Sequence, residues 1–402
     1  MKIIYVTARL PHGATEAFLI PEIRQLVAAG HDILVVPRSP RGPILHGEEL
    51  LERASREPLW SRRVWAGAAR VAIKMPRRTL AAARALETSR SLAMAAKNAA
   101  VLPKALWLAE LATRWNASHI HSHWAGTTAT MAWLASELTG VPWSFTAHRW
   151  DIVEDNLLSL KARSASFARF ISEDGLRMAR VRGVGPEANV KLLRMGVALP
   201  KVPAKRIRSS RVVLCPARLT EVKGHRFLLA AWRKLQDRGT AGELWLAGDG
   251  ELRPELQALA QSLHLSDSVR FLGAVAHAKL LAMYAAGEVD VVVLASLELG
   301  WGNHEGIPVA LVEAMSYAIP VVAAASGAIP ELVLPGTGLL TPPGDVDAIA
   351  NALALLMSDA ALRTQLGDAG RRRAGEVHDV IGIVTELANA FAAARPRAAV
   401  AA

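Results

Sequence analysis

Two carboxylates interrupt an apolar stretch, GNHEGIPVALVEAMSYAIPVVAAASGAIPE, running from Gly302 to Glu331. Glu305 precedes the apolar run and Glu313 lies inside it, with seven residues between them. The segment reads as loop, helix, turn, strand and loop. Gly306 loosens the backbone, and Ile307, standing before a proline, is pushed toward extended geometry. Pro308 suits a first helical turn, where a missing N–H costs nothing. Val309, Ala310, Leu311, Val312, Ala314 and Met315 make a helix buried on several sides. Ile319 and Pro320 end it, and Val321 to Ala324 reads as a fully buried strand. A helix N-terminus offers unpaired N–H groups and partial positive charge, so it can hold a phosphate or another anion. Two readings of the acids fit. Either both border such a site, or Glu305 complements the helix dipole and Glu313 is solvated.

Three further groups carry chemistry. Arg218 and Lys223, in PARLTEVKG, follow the strand Val212 to Pro216 and precede a helix opening near His225. A forked guanidinium and a compact ammonium after a strand suit a diphosphate; the alternative is two surface cations. His148 falls at the carboxyl end of the strand Val141 to Ala147, where open α/β sheets place ligands. Its imidazole can polarise or hydrogen-bond a hydroxyl, or it is a satisfied, partly buried histidine. His119, His121 and His123 share one strand face in SHIHSHW. No nearby carboxylate or cysteine completes a ligand set, so no metal is expected there. The turn Gly248, Asp249, Gly250 either lets backbone approach a ligand or is merely tight.

The wording of the central stretch, E-G-I-P-x-x-x-x-E-A-M, then I-P-V-V, then G-x-I-P-E, resembles the retaining nucleotide-sugar glycosyltransferases of family 4. Their fold is called GT-B. P-x-x-x-T-E-A-F, P-E-I-R-x-L and G-H-D-I near the start resemble members that build exopolysaccharides, and the resemblance covers almost the whole chain. It implies an α/β fold of two Rossmann-like doubly wound domains facing a central cleft. It implies that R-x-x-x-x-K-G, here Arg218 and Lys223, binds the donor pyrophosphate. Glu305 is thereby given the sugar hydroxyls and Glu313 the ribose hydroxyls, with Gly306, Ile307, Pro308 and Val309 at the phosphates. T-A-H-R-W-D is similar to the family's T-x-H-x-x-D, which sets His148 toward the donor sugar and gives Asp151 to its support or to the loop. V-R-F-L-G resembles the strand beneath the base, with Val275 contacting it through backbone. Where many relatives have two adjacent glycines after the first strand, only Gly13 stands here, so contact from Gly13, Ala14 and Thr15 is an open expectation.

The elements needed to position these groups are legible in order. Ile3 to Thr7 is a strand, Phe18 to Ala29 a helix capped by Gly30, and Ile33 to Val36 the next strand, the opening of a doubly wound sheet. Thr127 to Thr139 is a helix ended by Gly140. Arg169 to Ser172 ends a strand, and Val190 to Met195 leads to the turn at Gly196. Leu244 to Ala247, Val269 to Leu272 and Val289 to Leu294 are further strands, and Val346 to Met357 and Ala360 to Arg373 are helices. The expected domains are 1–200 on the acceptor side, a linker at 201–210, a nucleotide-sugar domain at 211–375, and a helix at 376–394 crossing back before a frayed tail.

At 402 residues the chain is long enough for two cores. It has no uninterrupted apolar run of ~18 residues, so no transmembrane helix is expected. The start reads as strand and turn rather than signal peptide. A single cysteine, Cys215, fits a reducing cytosol. Residues 1–210 hold 31 Lys/Arg against 16 Asp/Glu, a net +15, and the remainder is −4, together the chain's +11. Such asymmetry suggests an acidic partner for the first half. The tract 53–104 holds twelve Lys/Arg and two Glu, interleaved with Trp60, Trp65, Val71, Ile73, Met75 and Leu80. Helices with one apolar and one cationic face would lie on an anionic membrane surface; the alternative is a solvated helical insertion. Nucleic acid is disfavoured, since no binding motif accompanies the charge.

These residues together point to a cytoplasmic, peripherally membrane-associated, metal-independent hexosyltransferase, with a UDP- or GDP-sugar donor and a saccharide or lipid-linked saccharide acceptor. The alternatives are a nucleotide-sugar epimerase, which would need acid/base groups converging on a sugar ring and no acceptor, and a non-enzymatic module binding anionic surfaces through 53–104.

Overall fold

The computed structural model describes residues 1–13, 16–44, 47–200, 211–300 and 302–395. The expected linker at 201–210 and the tail from Ala398 lie outside them. The chain divides into two compact units, Met1–Arg194 with the segment from Ile381, and Met195–Val380.

The first unit holds six parallel strands: β1 (Lys2–Thr7), β2 (Asp32–Pro37), β3 (His119–His123), β4 (Trp143–Ala147), β5 (Phe167–Phe170) and β6 (Val190–Leu192), in the order β2-β1-β3-β4-β5-β6. Helices α1 (Ile20–Ala28), α2 (Arg62–Lys74), α3 (Pro76–Ala85), α4 (Leu92–Trp115), α5 (Thr127–Thr139), α6 (Arg149–Glu154), α7 (Leu158–Ser164) and α8 (Glu173–Val181) connect or flank them. The second unit repeats the plan with β7 (Val212–Cys215), β8 (Glu243–Ala247), β9 (Val269–Gly273), β10 (Val291–Leu294), β11 (Val321–Ala324) and β12 (Leu339–Thr341). Their order is β12-β11-β10-β7-β8-β9. Its helices are α9 (His225–Asp237), α10 (Arg253–Ser262), α11 (His277–Ala285), α12 (Val309–Ser316), α13 (Ile329–Leu332), α14 (Val346–Ser358) and α15 (Ala360–His378). This is the expected α/β class of two Rossmann-like doubly wound sheets, the GT-B fold.

Strands such as Val291–Leu294 and Val321–Ala324 are apolar at every position because parallel strands are covered on both faces. Each unit has its own buried cluster, around Trp143, Phe145 and Leu134 in the first and around Trp232, Leu246 and Val293 in the second. The strand order reverses between β1 and β3 in one sheet and between β7 and β10 in the other. Loops leaving the carboxyl ends of such neighbours diverge and open a crevice.

Several boundaries differ from the sequence reading for local reasons. The helix expected to start at Pro308 starts at Val309, with Pro308 extended at its cap (φ −73°, ψ 114°). It ends at Ser316 rather than at Ile319, because Ala318 turns into the left-handed region. The break expected between the helices over 360–373 and 376–394 falls later, at Asp379. α15 runs on to His378 and α16 (Val380–Ala393) follows a break at Asp379. Val197 donates to the His378 carbonyl and accepts from Val380 N–H, which holds the break open. α16 then packs on the first unit, where the Phe391 ring lies 4.7 Å from His119.

One fully buried ion pair ties the first sheet to its helix. Arg169 Nη1 on β5 donates to Glu22 Oε2 on α1 at 2.6 Å, and neither side chain reaches solvent. Arg169 also donates to the carbonyls of Leu193 and Arg194, and Tyr5 OH to the other oxygen of Glu22. Burial and the Glu22 carboxylate push the Tyr5 phenol well up, so it stays a donor. Arg169→Met should therefore cost about 3–5 kcal/mol in urea unfolding, since it strands a buried carboxylate. Removing both charges in Arg169→Met with Glu22→Leu should recover part of that loss.

Candidate functional site

The reversal in the second sheet gathers the acids and cations singled out above. β7 ends at Cys215 and its loop carries Arg218 to the short turn Glu221–Lys223. β10 ends at Leu294 and its loop carries Glu305 to α12. Leu297 N–H donates to the Val222 carbonyl at 2.8 Å and ties the two loops. Gly224, at φ +65°, lets them approach, since a Cβ there would stand 1.9 Å from the Ala295 carbonyl oxygen.

Lys223 Nζ meets Glu305 Oε1 at 2.5 Å, and Ser296 Oγ donates to the same oxygen at 2.8 Å. Ser326, after β11, accepts from Glu305 N–H, and Ala328 N–H donates to the Glu305 carbonyl. Two loops thus hold the carboxylate and a third holds the backbone of Glu305, a residue only 8 % exposed. The ammonium has three N–H donors and Glu305 engages one. Arg218 is exposed, and its guanidinium forms no ion pair among the described residues. The cap of α12 contributes no side-chain hydrogen bond, and Leu311 N–H closes onto the Pro308 carbonyl, which leaves the Val309 and Ala310 amides to face an anion. Ile307 is buried. Gly306 has open space around the place a Cβ would take and no left-handed backbone.

Glu313 is buried and bonds His277 Nε2, at the start of α11, at 2.6 Å, so the solvated reading of this acid does not hold. Val275 is half-buried in the turn between β9 and α11 and packs on the core. The turn Gly248–Gly250 is explained by the protein's own packing. A Cβ at Gly248 would lie 1.9 Å from the Ala217 carbonyl, and one at Gly250 2.4 Å from that of Leu219. Burial, with Lys223 nearby, lowers the His225 imidazole to about 4, and burial pushes the Cys215 thiol up to about 12, so both stay neutral.

In the first unit, His148 ends β4 and caps α6, and its N–H donates to Asp151 Oδ1 at 2.9 Å. The other Asp151 oxygen accepts from Ala125 N–H. Asp151 thus holds both the histidine backbone and the loop after β3. Burial raises its carboxyl to about 7 against those bonds. His148 Nε2 stands 2.6 Å from His123 Nε2, and burial holds both imidazoles neutral. His119 and His121 bond Ser144 Oγ, and His121 also bonds Thr146 Oγ1. The Gly13 N–H donates to the Pro43 carbonyl at 2.8 Å, and Thr15 and Ala14 lie outside the described residues.

The structure thus joins Lys223 with Glu305 and gives Glu313 a partner in His277. Ser296, Ser326 and His277 were not singled out in the sequence. A histidine four residues past the end of the V-R-F-L-G strand was the available signal for the last.

Residues 202–373 match the family model described as Glycosyl transferases group 1. The amylovoran biosynthesis glycosyltransferase AmsK of Erwinia amylovora is 33% identical over 180 residues, 44% of this chain and 44% of that protein. A GDP-mannose-dependent monoacylated alpha-(1-6)-phosphatidylinositol monomannoside mannosyltransferase of Corynebacterium glutamicum is 32% identical over 161 residues, 40% of this chain and 41% of that one. The matched segment is thus less than half the length of these relatives. Sucrose-phosphate synthase from Thermosynechococcus elongatus superimposes with a TM-score of 0.73 at 21% identity, over 98% of each chain, a likeness of fold.

Two glycines separate packing from ligand demands. Gly224→Ala should lower stability by about 1–3 kcal/mol, because the new methyl meets a carbonyl with nowhere to move. Gly306→Ala should be neutral or stabilise by about 0.4–1 kcal/mol. Urea unfolding of both variants measures the difference.

Proposed function

We propose that the chain is a retaining, metal-independent glycosyltransferase that moves a hexose from a UDP- or GDP-sugar to a hydroxyl of a saccharide or lipid-linked saccharide, in exopolysaccharide or cell-surface glycan synthesis. The observation that carries this reading is the Lys223–Glu305 pair at the reversal of the second sheet. The partnerless Arg218 on one of its two loops and the uncapped α12 at the end of the other support it.

The chemistry follows from charge. As the bond between the anomeric carbon and the diphosphate breaks, negative charge grows on the leaving oxygen. Arg218, two remaining N–H bonds of Lys223 and the amides of Gly306, Ile307 and Val309 stabilise that charge, the largest single term in many enzymes. The incoming diphosphate competes with Glu305 for the ammonium, which turns the carboxylate to the sugar hydroxyls. Glu313, oriented by His277, takes the ribose hydroxyls. Neither acid is needed as a nucleophile, and the acceptor hydroxyl attacks the anomeric carbon on the face the diphosphate leaves, passing its proton to the departing diphosphate oxygen. His148 hydrogen-bonds a hydroxyl of the transferred sugar.

Calorimetry with UDP, GDP and ADP identifies the nucleoside. Arg218→Ala should weaken nucleoside diphosphate binding about 10- to 100-fold, as expected for a lost charge-assisted bond. Glu305→Gln should depress turnover far more than nucleotide affinity, and activity should survive EDTA. Unchanged kinetics in Arg218→Ala would refute the leaving-group role.

A membrane site for this reaction is supported by α2. Its buried face is Val64, Gly67, Ala68 and Val71, which removes Val71 from the exposed set. The opposite face carries Ala66, Ala69 and Ile73, the last 79 % exposed, with Trp65 beside them stacked on Trp60 at 5.9 Å. Exposed Arg62, Lys74, Arg77 and Arg84 form no ion pair among the described residues. Apolar side chains fringed by unpaired cations fit the headgroup region of an anionic bilayer. Among the described residues no helix is long and apolar enough to cross it. The chain should sediment with phosphatidylglycerol vesicles, less so at high salt. Trp65→Ser with Ile73→Ser should abolish this, and undiminished sedimentation of that variant would count against the site.

A further inference from the structure

The first unit contains a cavity of about 890 Å³ that the donor chemistry does not use. It lies at the reversal of its sheet, among the loops after β2 and β3, α4 and α6. Arg38, Trp124, Thr127 and Trp150 line it.

Its walls are built rigidly. Trp124 is held at φ +92°, a strained conformation for a bulky side chain, and such strain persists only where the surroundings impose it. Here its indole Nε1 donates to Glu16 at 2.6 Å, and Glu16 also accepts from the amides of Ala8, Arg9 and Leu10. The same indole lies 4.5 Å from the His148 ring. Trp150 presents a ring that is 55 % exposed, with the Arg149 guanidinium 4.1 Å from its centre. Two indoles, one fixed and one exposed, make platforms for the apolar face of a sugar ring.

The charge is also specific. Lys97 and Glu154, both on the lining, pair with each other at 2.9 Å. The Asp151 carboxyl is occupied by two backbone amides. Arg38 is the cation left over. It is half-buried, donates only to Thr127 Oγ1 at 2.6 Å, and forms no ion pair among the described residues. Thr127 opens α5, whose cap, Gly126, has no side chain to satisfy the first-turn amides. A partly desolvated guanidinium beside open helix amides favours an anion.

We propose that this cavity receives the acceptor, a saccharide carrying one acidic substituent, carboxylate or phosphate, whose acid group pairs with Arg38 and whose ring lies against Trp124 and Trp150. The inference rests on the transferase reading and names its acceptor class. The fixed indole then links the bound ring to His148.

The test is binding to the full chain, followed by saturation-transfer NMR, with glucose, glucuronic acid, glucose 1-phosphate and inorganic phosphate as probes. At least one acid sugar should bind about tenfold or more tightly than glucose, the scale of a charge-assisted bond. Arg38→Gln should erase that preference and leave glucose binding unchanged, with Arg38→Lys restoring part of it. Trp150→Ala should weaken glucose and the acid sugar alike. Equal affinity for glucose and both acids, or no binding of any sugar, overturns the proposal. So does loss of glucose binding in Arg38→Gln, which would make the residue merely structural. Inorganic phosphate binding as tightly as glucose 1-phosphate would mark a phosphate site and also overturn it. UDP and GDP calorimetry on the same samples separates this outcome from failure of the transferase reading.

Discussion

The ion pair between Lys223 and Glu305 is the constraint on which the second unit's site depends. Both groups are largely removed from water, with side chains 18 % and 11 % exposed. Desolvation of such a pair often cancels its Coulombic gain, so the pair is weak evidence for stability. What it does is geometric. It fixes the loop after β7 against the loop after β10, and Glu305's backbone contacts bring in the loop after β11. The carboxylate keeps the ammonium in place, and the backbone bonds from Leu297 to Val222 and from Ala328 to Glu305 hold the same loops independently of the pair. The site is therefore organised before any ligand arrives, which lowers the ordering cost of binding.

The first unit solves a similar problem with a carboxylate and no cation. Glu16 gathers three consecutive amides after β1 and the indole of Trp124 after β3. Asp151 does the same for the loop after β3 and the end of β4. In the first sheet the strand-order reversal leaves diverging loops whose amides lack ladder partners, and buried acids satisfy them. The first unit leaves its cation, Arg38, unpaired, while the second couples Lys223 and leaves Arg218 exposed.

Much of this was legible in the sequence, for identifiable reasons. Parallel strands covered on both faces must be apolar throughout, so Val212–Cys215, Val291–Leu294 and Val321–Ala324 announce themselves. Gly140 marks the end of α5 because its left-handed backbone suits a helix stop. Helix ends set by Ala318 and Asp379 were not legible, since neither residue type signals a break; tertiary contacts impose them. Pairings across long separations were equally hidden. Lys223 and Glu305 are 82 positions apart and Arg169 and Glu22 are 147 apart. Composition names such residues as charged but cannot choose their partners. The three alternating histidines illustrate the limit from the other side. Their spacing suggested one face and a possible ligand set, but the hydroxyls of Ser144 and Thr146 that bond two of them lie on the neighbouring strand.

The pattern of unsatisfied groups argues for function more strongly than the pattern of satisfied ones. Most buried charges here have partners: Arg169 has Glu22 and two carbonyls, Lys161 has the carbonyls of Ala125 and Gly126, and Lys104 has those of Pro37, Arg38 and Glu57. Burial lowers both lysines to about 7. Their carbonyl cages accept the amine's N–H groups, so neither needs an external anion. Against that background, Arg218 with the start of α12 and Arg38 with the start of α5 stand out by their position, since each sets an arginine with no ion pair among the described residues near a helix start that has no side-chain cap. Each lies on the carboxyl side of a sheet at its reversal. Open cations and amides of this kind cost little in water and gain most when an anion displaces that water.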